Sequence, residues 1–213
     1  MKFWTKLLPV FAVLFASAPA FAGGASLEVE PYLGYGFLGS VGDKAQYSAN
    51  PSAAATYTTL GLGLRANVKF MDMFFAGPDF SYQPGLSFKL PGMTAEKTSN
   101  SLMTLGLVAG VQLPMSLRFW VGYNFMDQNS STSTVGGAES TNTFKGSSFK
   151  IGAGYKLMSY LSINAEYYFQ SYSKGDLKLP AGVPGGFTNQ ALTDTTGNIL
   201  VMTVSAPLDV LSF

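Results

Sequence analysis

The segment Leu60–Phe70, LGLGLRANVKF, alternates without a break. Leu60, Leu62, Leu64, Ala66, Val68 and Phe70 fall on one side of an extended strand, and Gly61, Gly63, Arg65, Asn67 and Lys69 on the other. In a soluble sheet with one face exposed, the apolar side packs on a core and the polar side meets water. Here the polar side holds glycines and two cations, so it is both slim and charged. The fold turns on which of the two sides meets solvent.

The same period of two recurs along the chain. It runs through SLEVEPYLGYGFL (26–38), FFAGPDFSY (74–82), MTLGLVAGVQL (103–113), LRFWVGYNF (117–125), SFKIGAGYKL (148–157), LSINAEYYF (161–169) and ILVMTVSAPLDV (199–210). With the opening segment these make eight strands, each near the roughly 9–11 residues of a tilted membrane-spanning strand. Their connections alternate in length. Long polar loops are expected near residues 39–56, 84–98, 127–146 and 173–197, and tight turns at Met71-Asp72, Pro114-Met115-Ser116 and Met158-Ser159-Tyr160. Long loops on one rim and short turns on the other are the pattern of a membrane barrel.

In this register no charge lies on the apolar side of any strand. Glu28, Glu30, Arg65, Lys69, Asp79, Arg118, Lys150, Lys156 and Glu166 all point the other way. An eight-stranded barrel encloses a space just wide enough for side chains to fill. Rows of Leu, Val, Phe and Tyr do not fit there, whereas Gly, Ser and Thr with a few long polar side chains do. A secreted, water-facing barrel with an apolar calyx would instead scatter charges along its outer wall. The sequence therefore predicts an all-β fold: an eight-stranded antiparallel up-and-down transmembrane β-barrel, oily side outward. Outward aromatics supply two girdles, Phe70, Phe74 and Phe119 toward the turns and Phe37, Tyr82, Phe125 and Phe149 toward the loops.

The chain opens with MKFWTKLLPVFAVLFASAPAFA. Lys2 and Lys6 precede an apolar run, and Ala20-Phe21-Ala22 is a small-x-small cleavage site. Residues 1–22 read as a secretory signal peptide, and 23–213 as the barrel domain. Without Lys2 and Lys6 the remainder carries 11 basic and 12 acidic residues, so no pull toward nucleic acid is expected. Cysteine and histidine are absent. No disulfide framework, Cys-based metal site or cofactor is expected.

The leader, the alternating strands, the long loops and the terminal Phe213 resemble the small outer-membrane barrels of Gram-negative bacteria, in particular the outer membrane protein A-like barrel family. LEVEPYLGYGF is similar to the way such barrels begin. The resemblance covers nearly the whole chain after residue 22 and implies location in the bacterial outer membrane, contact with its lipids and recognition by the barrel-insertion machinery. Two departures stand out. No peptidoglycan-binding domain follows, and in PLDVLSF Pro207 and Asp209 share parity with Phe213, so the last residues are expected to bend. Barrel enzymes that resemble this architecture rely on a catalytic histidine, which this chain lacks. The Gly61-Leu62-Gly63 type of run lies within strands and opens no helix, so it is not a phosphate loop.

Three functional readings remain open. The inward charges, four acids and five bases, form either a structural plug of mutually neutralising pairs or a narrow gate whose pairs exchange partners. The polar loops STSTVGGAESTNT and LPAGVPGGFTNQALTDTTG are either solvated surface or a site of adhesion and recognition. Ala66, Ala76, Pro78, Ala109, Ala153, Ala165 and Ala206 face outward. They are either neutral lipid contacts or places where walls approach closely in a homo-oligomer holding lipid.

Overall fold

The computed structural model of this chain describes residues 24–43, 54–89, 97–135, 137–180 and 183–212. The leader and Phe213 lie outside the described residues. In chain order the strands are β1 (Ala25–Asp43), β2 (Ala55–Phe70), β3 (Phe74–Lys89), β4 (Lys97–Gln112), β5 (Leu117–Val135), β6 (Ala138–Met158), β7 (Leu161–Lys178), β8 (Phe187–Ser205) and β9 (Leu208–Ser212). Each of β1–β7 pairs antiparallel with the next, and β8 pairs with β1, closing the ring. Closure gives each of β1–β8 a paired neighbour on both sides, as a strand in lipid requires. No helix occurs among the described residues.

The eighth predicted strand, 199–210, is corrected. It breaks at Ala206-Pro207, where proline cannot donate to the ladder, and resumes as β9. The short β9 pairs with the start of β1, Leu27 facing Leu211 and Glu28 facing Asp209 across a register shift. Two of the expected loops are also corrected. Most of 127–146 continues the β5–β6 hairpin, paired up to Val135 and Ala138, and 173–197 largely continues β7 and β8. Ser and Thr side chains join across the first extension, with Ser130 to Thr143, Thr132 to Thr141 and Ser133 to Ser140 all at 3.1 Å. Residues 44–53 and 90–96 of the other two loops lie outside the described residues.

Toward the loops, each of the four outgoing strands carries an extra residue relative to a neighbour: β1 between Gly36 and Gly39, β3 between Gly85 and Ser87, β5 around Asn124–Asp127, and β7 between Tyr172 and Lys174. An added residue reverses which side chains point inward beyond it. In β5 the inward series runs Arg118, Trp120, Gly122, Asn124 and then Asp127, Asn129, Ser131, all buried. Along the membrane segment the oily side faces out: Leu62 is 68% exposed and Leu33, Leu107, Val121 and Phe169 about half exposed. The aromatics expected in the girdles stand on this wall, and Phe149, Phe169 and Tyr167 form a contiguous aromatic patch.

The lumen holds more than small and charged residues. Tyr32, Tyr57, Phe75, Trp120, Tyr168 and Tyr172 are buried in it, single rings among small residues rather than the continuous apolar rows that do not fit. Glycine makes the room. A Cβ added at Gly63 would lie 2.0 Å from the Tyr32 ring, and one at Gly152 2.1 Å from Trp120. A ring on one strand thus occupies the space that its neighbour leaves empty.

Candidate functional site: the lumen and the wall

The nine predicted lumen residues converge on one buried network. Arg65 of β2 is its centre. Its register partners are Glu30 on β1 and Asp79 on β3, and its guanidinium meets Asp79 at 3.0 Å, Glu30 at 3.7 Å and Glu166 across the lumen. The planar group lies between rings, 4.7 Å from the centre of Tyr32 and 4.9 Å from that of Trp120, where cation–π attraction adds to the ion pairs. Lys150 joins from β6, bridging Asp79 and Glu166. Neutral donors hold the same acids: Tyr32 Oη donates to Asp79 at 2.8 Å, Trp120 Nε1 to Glu166 at 3.1 Å and Tyr168 Oη to Glu166 at 2.7 Å.

A second layer lies toward the turns. Arg118 of β5 grips Glu28 at 2.7 Å and Glu30 at 3.2 Å and stacks on Phe75. Glu28 also meets Lys156 at 3.4 Å and Lys69 at 3.8 Å. Glu30 accepts from Ser205 Oγ at 2.6 Å. Lys69 reaches Asp209 of β9 at 2.7 Å. Asp209 therefore supplies a fifth acid for the five bases. Its place on the polar parity of 199–210 is the sequence signal for it. Charges taken from water cost several kcal/mol each unless paired and hydrogen-bonded, and here every acid of the network has a cation within pairing distance.

The loop-side half of the lumen has a different filling. Val41, Tyr57, Phe88, Leu102, Tyr172 and Ile199 form an apolar cluster, with Phe144 and Leu192 packed against it. Polar groups thread through it. Tyr57 Oη donates to Gln170 Oε1 at 2.9 Å, Gln170 Nε2 donates to both Asp127 oxygens at 3.2 and 3.3 Å, and Tyr172 Oη donates to Asp127 at 3.1 Å.

On the outer wall, Ala109, Ala153 and Ala165 form the floor of one shallow depression of about 560 Å³, ringed by Phe119, Ile151, Tyr167 and Leu200. Ala153 faces Ala165 and Ala76 faces Ala109 across adjacent strands. Ala206 borders a separate depression with Leu33, Leu64 and Val204. Ala66 and Pro78 lie on the β2–β3 wall, both half-buried. The predicted wall residues are thus spread over the surface rather than gathered into one patch. Among the described residues no cluster of acidic side chains suited to a metal ion is found.

The model of the outer membrane protein β-barrel domain matches residues 8–201. The chain belongs to the outer membrane protein β-barrel family. Its place is the bacterial outer membrane, among lipids. The chain is similar in fold to solved structures at low sequence identity. Ail, the attachment invasion locus protein of Yersinia pestis, is 8% identical with a TM-score of 0.51, the match covering 87% of this chain and 99% of that one. OprG of Pseudomonas aeruginosa is 11% identical with a TM-score of 0.48, covering 89% and 98%. Neisserial surface protein A is 14% identical with a TM-score of 0.46, covering 85% and 97%. No match was found among curated proteins. At 8% identity the likeness to Ail shows the fold alone.

Proposed function

We propose that this protein is a non-enzymatic, closed barrel that supports or organises the outer membrane through its wall rather than by passing solutes. The observation that carries the reading is the filled lumen. An Arg65-centred network spans β1, β2, β3, β6 and β7, and the apolar cluster lies above it. A lumen filled twice over leaves the wall and the extracellular hairpins as working surfaces. Shallow depressions floored by alanine let an acyl chain or a second wall approach closely, and contact with lipid through them, alone or within a homo-oligomer, is the role proposed for Ala109, Ala153 and Ala165. Residues 1–22 serve in this reading as a cleaved export signal and the C-terminal strand as the handle for the insertion machinery.

The test is the native mass of the protein extracted in mild detergent, with retained lipid identified. A discrete oligomer with a fixed lipid count is expected. A bare monomer that also conducts in planar bilayers would favour a gated pore, a reading supported by one feature: Arg65 has three carboxylates within reach, so partners can be exchanged without leaving a charge alone. The extended hairpins support surface recognition as a further reading, tested by deleting the β5–β6 extension and measuring cell attachment.

A further inference from the structure

Every other fully buried carboxylate among the described residues has a cation beside it. Glu28, Glu30, Asp79 and Glu166 all sit in the ion-pair network. Asp127, 1% exposed in the loop-side half, has none. Its donors are all neutral: Gln170, Tyr172 and Ser148. Oδ1 receives both Gln170 and Tyr172, Oδ2 receives Gln170 at 3.3 Å, and the Ser148 hydroxyl also bonds the carboxylate. The network cannot lend charge, because its five bases are already matched by five acids including Asp209. A lone buried carboxylate is costly however well neutral donors surround it.

The neighbouring positions are short of partners in a matching way. Asn129, fully buried one inward step further along β5, turns its amide toward the Tyr57 and Tyr172 hydroxyls, and its carbonyl Oδ1 has no donor. Asn124, the inward residue on the other side of the bulge, spends its Nδ2 on Ser148 Oγ at 2.8 Å and leaves a buried Oδ1 without a donor. Buried amides are nearly always satisfied. Here an unpaired carboxylate and two amide side chains with unpartnered carbonyl oxygens lie at successive inward positions of one strand. The bulge at Phe125 and Met126 brings Asn124 and Asp127 to the same side.

We propose that the loop-side lumen binds a hard cation, with Asp127 as the charged ligand and the Asn129 carbonyl as a neutral one beside it. An all-oxygen donor set selects alkali or alkaline-earth ions over softer metals. Water can satisfy the amides but cannot supply the missing charge. The bound ion would make the upper lumen as balanced as the lower, whether or not the barrel self-associates.

The experiment is thermal unfolding of the barrel purified in zwitterionic detergent at pH 8, in choline chloride against NaCl, KCl, MgCl2 and CaCl2 at matched ionic strength. At least one inorganic cation is expected to raise Tm by about 3 °C or more over choline, as binding to the folded state alone requires. Asp127→Asn should remove that increment while holding its Tm in choline. Asn129→Ala keeps the carboxylate and should raise the half-saturating cation concentration about tenfold, a loss of roughly one ligand. It also serves as the test where Asp127→Asn does not fold. A wild-type Tm equal in choline and in all four salts overturns the proposal, since Asp127 is then carried as a neutral acid. An increment that survives in Asp127→Asn or is unchanged in Asn129→Ala overturns it too.

Discussion

The two halves of the lumen answer the same packing problem in opposite ways. Toward the turns, the space is filled with charge: Arg65, Arg118 and Lys150 run between four buried acids, with rings of Tyr32, Trp120 and Phe75 as flat spacers. Toward the loops, it is filled as a soluble core is filled, by Leu102, Phe88, Tyr57 and Ile199. The difference follows from what surrounds each half. The charged half is ringed by lipid, where polar groups must find partners inside. The apolar half reaches into the extracellular hairpins, whose outer faces carry Ser, Thr and Lys and whose inner faces must supply the burial. One barrel thus joins a membrane protein turned inside out to a soluble β-domain the right way round.

The sharpest way to break this comparison is to remove a cation from the charged half. Arg65→Met leaves Glu30, Asp79 and Glu166 short of their shared partner, and a loss of about 3–5 kcal/mol is expected, read from urea unfolding in lipid vesicles. Unchanged stability would mean that the network fills space without binding it together. In the apolar half, Leu102→Ala removes a fully buried side chain, at an expected cost of about 2–5 kcal/mol by ordinary cavity rules. A much smaller cost would show that the upper lumen is loosely packed. Asp209→Asn acts at the rim, where the carboxylate is half exposed, and should cost no more than about 1 kcal/mol, measured the same way. The smallest effect is local. On the extracellular extension Asp176 accepts from Asn189 N–H at 2.6 Å and pairs with Lys145, which hold its carboxyl below the usual range. A carboxyl lowered by folding contributes above its unfolded value of about 4 and loses that contribution as pH falls through the folded value. Hydrogen exchange at Asn189 should therefore quicken only on strong acidification, and equal protection at all pH would count against the contact.

Much of this was legible in the sequence because lipid imposes a strict rule. Alternation with no charge on one parity fixes the outward side, and through it the inward set from Glu28 to Glu166. Parity reading fails where a strand gains a residue. Asp127 shares parity with outward Tyr123 and Phe125 and reads by composition as loop, but the bulge after Asn124 turns it into the lumen. How the lumenal rings fit is not legible strand by strand, because each ring takes the room left by a glycine on the neighbouring strand, as Tyr32 does with Gly63. The length of the extracellular hairpins was hidden because their Ser- and Thr-rich stretches read as loop by composition, whereas cross-strand hydroxyl pairs hold them as sheet.

The extra residues of β1, β3, β5 and β7 divide each of these strands into two stretches of opposite parity. The same kind of substitution therefore changes meaning along one strand. On β5 a charge placed at the exposed Tyr123 would meet the outer wall, whereas Asp127, of the same parity but beyond the extra residue, already carries its charge into the lumen. Each strand is thus written in two reading frames, and the bulge is the point where one gives way to the other.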